Sequence, residues 1–143
     1  MNKKKGFTII EALCAISIIT ILFSYIMQLE LKNIGLKQYL ELKQTNICLL
    51  EAVSNELTYN ASYLELVNLN VSRRVYLDNT NMSLERIKNS NIINCFTNIT
   101  PLVKPYIVIL INNENILSIN IKMYFKYANR EEMIECQTYK GNY

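Results

Sequence analysis

Histidine is absent from the 143 residues, and that one absence removes several chemistries. No His-based triad, His general base or His metal ligand can be built. Only three glycines are present, so no Gly-rich loop is available to cradle a phosphate. The four cysteines include no C-x-x-C pair, which makes zinc and thioredoxin-type chemistry poor readings. Positive charge is scarce beyond the start of the chain. The formal net charge is +3, Lys3, Lys4 and Lys5 account for it, and without them 12 cations face 12 anions. A nucleic-acid binder is expected to keep a basic face. No carboxylate pair can be assigned to a cleft, and nothing points to a catalytic site, a cofactor or a metal.

Charge is also nearly missing from residues 7–29, where the only ionisable groups are Glu11, Cys14 and Tyr25. This run is long enough to cross a hydrocarbon core of roughly 30 Å with some tilt. Glu11 is its anomaly, because a carboxylate in hydrocarbon costs several kcal/mol unless it is neutralised or paired. A secretory signal peptide fits the basic start, but the run exceeds a typical apolar region and no A-x-A-like site follows. A plain single-span anchor would hold Lys3, Lys4 and Lys5 in the cytoplasm and place the remainder outside. It leaves Glu11 facing lipid.

A third reading rests on Lys5-Gly6-Phe7-Thr8-Ile9-Ile10-Glu11. This stretch resembles the type IV prepilin and pseudopilin signature: basic residues, Gly, then Phe-Thr-x-x-Glu leading an apolar helix. The similarity covers roughly residues 3–35. It implies cleavage between Gly6 and Phe7 by a membrane-embedded prepilin peptidase, which would also methylate the new amino terminus of Phe7. Mature subunits would then pass from the membrane into a filament. In that setting, the Glu11 carboxylate of one subunit could pair with the Phe7 amine of a neighbour. A buried ion pair of this kind is a better registry device than a source of stability. Loss of Lys3, Lys4 and Lys5 would remove the cytoplasmic anchor and ease extraction.

The pattern downstream agrees with a long helix. No Pro or Gly interrupts residues 7–34, and beyond Gln28 the sequence turns amphipathic. Leu36, Leu40, Ile47, Leu50 and Leu57 make a stripe that is broken by Lys43 and Ser54 and widened by Leu49 and Val53. A helix over 7–57 would be about 77 Å long at 1.5 Å per residue. Its end is expected between Leu57 and Leu66. Residues 73–77 read as a short strand and Asp78 to Asn81 as a turn, while propensity leaves 82–87 open between strand and helical turn. Tyr106 to Ile111 is a β-branched run, followed by a turn at 112–115. Leu117, Ile119, Ile121, Met123 and Phe125 then alternate with polar residues, which predicts a half-buried strand. Another turn at 128–131 precedes a strand over 132–139. The expected fold class is α+β and pilin-like: a long N-terminal α-helix, membrane-spanning in its first half, packed on a small antiparallel β-sheet head. The expected divisions are a leader at 1–6, a filament-core helix at 7–29, its amphipathic continuation at 30–60 and a β-rich head at 61–143.

Other constellations carry less. Cys14 lies in the apolar helix and Cys48 on its continuation. A Cys95–Cys136 disulfide would tie down the last strand, and the resemblance supports it because pilin heads often carry such a closure. Cys48 with either partner and unpaired thiols remain alternatives, since connectivity is not readable from sequence. Asp78, Asn79, Asn81 and Glu85 lack the spacing of a calcium loop and read as turn chemistry. Arg73, Arg74, Arg86 and Lys88 read as a solvated face. Four Asn-x-Ser/Thr matches in so Asn-rich a chain read as chance.

The expectation is therefore a pilin-like subunit of a type IV pilus, type II secretion or competence machine, not an enzyme. A small head and the lack of an evident sticky loop suggest a minor one. Its partners would be the prepilin peptidase, other subunits, the assembly platform, membrane lipid before assembly, and nucleic acid only in a competence-type system. The alternative is a single-pass membrane protein with an extracellular binding head and no filament.

Overall fold

The computed structural model describes residues 8–70, 74–89, 91–113 and 116–141. The chain divides into two compact units, Met1–Glu41 and Leu42–Tyr143. Helix α1, Ile9–Asn55, begins in the first and ends in the second.

In the first unit no described residue of α1 is buried, and only Ala12, Gly35 and Tyr39 are half-buried. Ile9, Ile10, Leu13, Ile16, Ile18, Ile19, Leu22 and Phe23 are all exposed, as are Leu36 and Leu40. The stripe that faces the core therefore starts later than the sequence pattern implies. Its buried members are Asn46, Leu50 and Val53, with Leu57 just beyond the helix. Leu36 and Leu40 belong to the unit that lacks a sheet, so nothing within it covers them.

The end of α1 is a local rearrangement, not a fraying. Glu56–Asn60 forms a π-helical turn, and Ala61 N–H donates to the Glu56 carbonyl at 2.9 Å. Ala61 then turns extended, which stops the helix. Ser62 starts a second helix, α2, Tyr63–Asn70, by a capping box. Its N–H and hydroxyl both donate to Glu65 Oε2 at 2.8 Å, while Glu65 N–H approaches the Ser62 hydroxyl at 3.3 Å. This reciprocal arrangement satisfies donors that every helix start leaves open.

The strands are β1 Val75–Leu77, β2 Tyr106–Asn113, β3 Leu117–Tyr127 and β4 Arg130–Lys140. They form one antiparallel sheet in the order β1-β2-β3-β4. The alternation in β3 is realised: Leu117, Ile119, Ile121, Met123 and Phe125 are buried and the intervening positions are wetter. Ile107, Ile109 and Ile111 of β2 and Val75 and Leu77 of β1 join them against Leu50, Val53, Leu57 and Leu66. The pattern alone places one sheet face on helices and leaves the other open. The β3–β4 hairpin closes through Ala128 and Asn129, both at positive φ of 44° and 69°. With Tyr127 paired to Arg130, this is the two-residue turn whose twist suits a hairpin. Between β1 and β2, residues 84–89 form helix α3, which decides the segment left open between strand and helix.

A polar seam joins β4 to the end of α1. Cys136 Sγ lies 3.9 Å from Ser54 Oγ, and Thr138 Oγ1 lies 2.9 Å from Thr58 Oγ1. The Thr58 proton is committed to the Ser54 carbonyl at 2.7 Å, so Thr138 is the donor in its pair. Lys140 Nζ completes the seam by donating to the carbonyls of Thr58, at 2.7 Å, and Ala61. Three successive inward positions of β4 thus meet the π-turn and the residues flanking it.

The expected Cys95–Cys136 disulfide is not formed, and no disulfide is present among the described residues. Cys95 ends the 3-10 turn Ile92–Cys95 and Cys136 lies on β4, each half-buried against the core.

Candidate functional site

The anomalous carboxylate sits on the first turn of α1 and is held there by the residue that opens the helix. Thr8 N–H donates to Glu11 Oε2 at 2.9 Å, and the Thr8 hydroxyl donates to the same oxygen at 3.0 Å. Glu11 N–H is 3.0 Å from the Thr8 carbonyl and 3.4 Å from its hydroxyl. Thr8-x-x-Glu11 is thus a capping box, with the acid also placed favourably against the positive end of the helix dipole. Both bonds fall on Oε2. Oε1 keeps its acceptor capacity for a further donor.

The apolar run behind Glu11 hides its own polar groups. Ser17 donates to the Leu13 carbonyl, Thr20 to that of Ser17 and Ser24 to that of Thr20, each at 2.8 Å. Such back-bonding is the usual way a hydroxyl is carried in a medium without water. The helix is long and apolar enough to cross a membrane by length and composition, and its apolar window is wholly exposed. Glu11 is the only Asp, Glu, Lys or Arg from residue 8 to residue 29. Whatever surrounds this surface, lipid or other helices, Glu11 enters it with Oε2 held by Thr8 and, among the described residues, no donor on Oε1.

Lys3, Lys4, Lys5, Gly6 and Phe7 lie outside the described residues. Cys95 and Cys136 are both half-buried thiols, not joined in a disulfide. No cluster of three or more potential metal-ligating side chains occurs among the described residues. Asp78 does turn work: it accepts from Asn79 N–H at 2.6 Å and from the Thr80 hydroxyl at 3.3 Å. Thr8 is the site residue that pattern reading passed over. Its signal was present, since Ser/Thr-x-x-Glu before an apolar run is a helix-start signature. The exposed loop is a second omission. Ile99, Leu102 and Val103 are all exposed, Leu102 fully so, so the head does carry an apolar loop.

Residues 1–27 match the family model described as the prokaryotic N-terminal methylation motif. The segment is therefore of the prepilin-type cleavage and methylation kind, and the match ends within α1. No curated protein and no solved structure matches the chain.

Proposed function

We propose that this chain is a pilin-like subunit of a type IV pilus, a type II secretion pseudopilus or a competence pseudopilus. It is cut between Gly6 and Phe7, methylated on the new Phe7 amine, and assembled into a filament through residues 7–29. The observation that carries this reading is Glu11. The methylation motif runs through it, and the capping box presents its carboxylate with Oε1 still open at the head of an all-round apolar helix. Cleavage supplies the missing partner, a cationic amine four residues ahead on a neighbouring subunit. Glu11 then sets the axial register while the helices bundle.

Before assembly the subunit spans the cell membrane once. Lys3, Lys4 and Lys5 hold its start in the cytoplasm and the sheet-bearing unit lies outside. The peptidase, sister subunits and the assembly platform are its partners, with lipid around the helix until extraction. Nucleic acid enters only if the machine is of the competence type. The role is structural, and the chain is a substrate of the peptidase, not an enzyme. The small head is the remaining ground for a minor subunit, since the exposed loop at 99–103 removes the other. Terminal sequencing with mass measurement tests the reading. A chain beginning at N-methylated Phe7 is the expected result. An intact Met1 terminus would support a single-pass membrane protein with an external binding head, and a start beyond residue 25 a secreted product.

A further inference from the structure

The face of the sheet turned away from the helices carries a row of tyrosines that the assembly role does not use. The strand registers place Tyr106 beside Tyr124, Tyr76 beside Val108, Val108 beside Lys122, and Leu110 beside Asn120. Tyr106 and Tyr124 stack at 5.2 Å between ring centroids, and Tyr76 meets Tyr106 edge-on at 6.4 Å. These rings wall a groove of about 440 Å³, whose remaining lining is Val108, Leu110, Lys122, Arg74 and Thr100. That volume falls in the range of small-ligand sites, about 300–1,000 Å³.

We propose that this groove binds the sugar rings of an uncharged oligosaccharide. Val108 in its lining is buried, and the rest combines aromatic rings with three phenol hydroxyls, the Thr100 hydroxyl and the Arg74 guanidinium, so polar surface outweighs apolar. A pyranose matches that division. Its C–H face lies on aromatic and aliphatic carbon, and its rim of hydroxyls needs both donors and acceptors, which phenols and threonine supply together. Arg74 adds donors in a planar fork. The charge balance argues against a polyanion. Lys122 is paired with Glu135 at 3.3 Å, Lys104 at the base of the adjoining loop is paired with Glu131, and the chain without its first lysines has no net positive charge. A nucleic-acid strand would find stacking surface but only Arg74 and the already paired Lys122 to draw it in.

The test uses the full mature chain in detergent micelles, with isotope-labelled tyrosine rings followed by NMR. Tetrasaccharides of β-linked glucose, galactose and N-acetylglucosamine are titrated in turn, alongside a ten-residue oligothymidylate and an aromatic-rich peptide. At least one tetrasaccharide is expected to shift the rings of Tyr76, Tyr106 and Tyr124 saturably and leave the distant, exposed Tyr59 unmoved. Arg74→Ala and Tyr124→Phe are each expected to weaken that binding roughly 3–10-fold, the loss of one or two hydrogen bonds. Tyr124→Phe keeps the ring and so separates lost recognition from lost folding. The proposal is overturned if no tetrasaccharide shifts these rings, if shifts fall outside the groove, if both variants bind as wild type, or if only the oligonucleotide or the peptide binds.

Discussion

Thr138 donates its hydroxyl to Thr58 at 2.9 Å, joining positions 80 apart in the chain. This bond and its neighbours from Cys136 and Lys140 fix the last strand to the place where α1 changes into a π-turn. The turn is held from outside: Lys140 fills carbonyls at the turn and just past it, which no continuing helix satisfies. Removing the lysine should therefore cost more than removing the hydroxyl. Lys140→Met is expected to destabilise by about 1.5–3 kcal/mol, as for hydrogen bonds to a charged group, and Thr138→Val by about 0.5–1.5 kcal/mol. Chemical denaturation of the mature chain in detergent measures both. Equal losses would show that the ammonium carries no special share.

The hairpin turn holds a correctable strain. Ala128 sits at a φ of 44°, where a side chain without a local hydrogen bond is disfavoured by roughly 1 kcal/mol. Asparagine tolerates this region better, and Asn-Gly is the preferred pair for this turn. The double substitution Ala128→Asn with Asn129→Gly is expected to raise the thermal midpoint by a few degrees, in keeping with about 1 kcal/mol. An unchanged or lower midpoint would mean that the turn geometry is not set by these two residues.

Acid sensitivity should trace to two carboxylates. The Ser62 backbone N–H, then the Ser62 hydroxyl, hold Glu65 below the ordinary glutamate value. Glu131 is lowered by its hydrogen bond from Lys104 and by that lysine's charge. A depressed folded value gives stability that is complete above the unfolded value, about 4.3, and is lost as pH falls through the folded one. Stability measured from pH 6 down to pH 3 should therefore decline, and Ser62→Ala should flatten the decline by returning Glu65 toward its ordinary value. A slope unchanged in Ser62→Ala would assign the acid sensitivity elsewhere.

Much of this was legible because burial in β3 follows a strict period of two and the apolar run has one charge. One misreading took a polar residue for an interruption when it is a partner: Ser54 breaks the apolar stripe because it meets Cys136. The helix end fell within the expected stretch, but the Ser62 and Glu65 capping box that starts α2 was passed over. The cysteines form no disulfide here, and local pattern does not encode which of them approach one another.

The last prediction separates the two duties of Glu11. Within its own chain the carboxylate caps α1 through Thr8; in the proposed filament it meets the Phe7 amine of a neighbour. Thr8→Val removes the hydroxyl bond to Oε2 but leaves the backbone N–H and the charge. Glu11→Ala removes both the cap and the charge, and Glu11→Gln keeps an acceptor without the charge. If register depends on the ion pair, Glu11→Ala and Glu11→Gln are both cleaved and methylated but largely missing from sheared filaments, while Thr8→Val is recovered near the wild-type level. If Glu11 matters only as a helix cap, Glu11→Gln assembles well and Thr8→Val is impaired with Glu11→Ala. Quantifying each variant in filament and membrane fractions, with the mass of its amino terminus, decides between them. The charge-dependent outcome is expected because the capping bonds occupy one carboxylate oxygen, and a neighbour's cation needs the other.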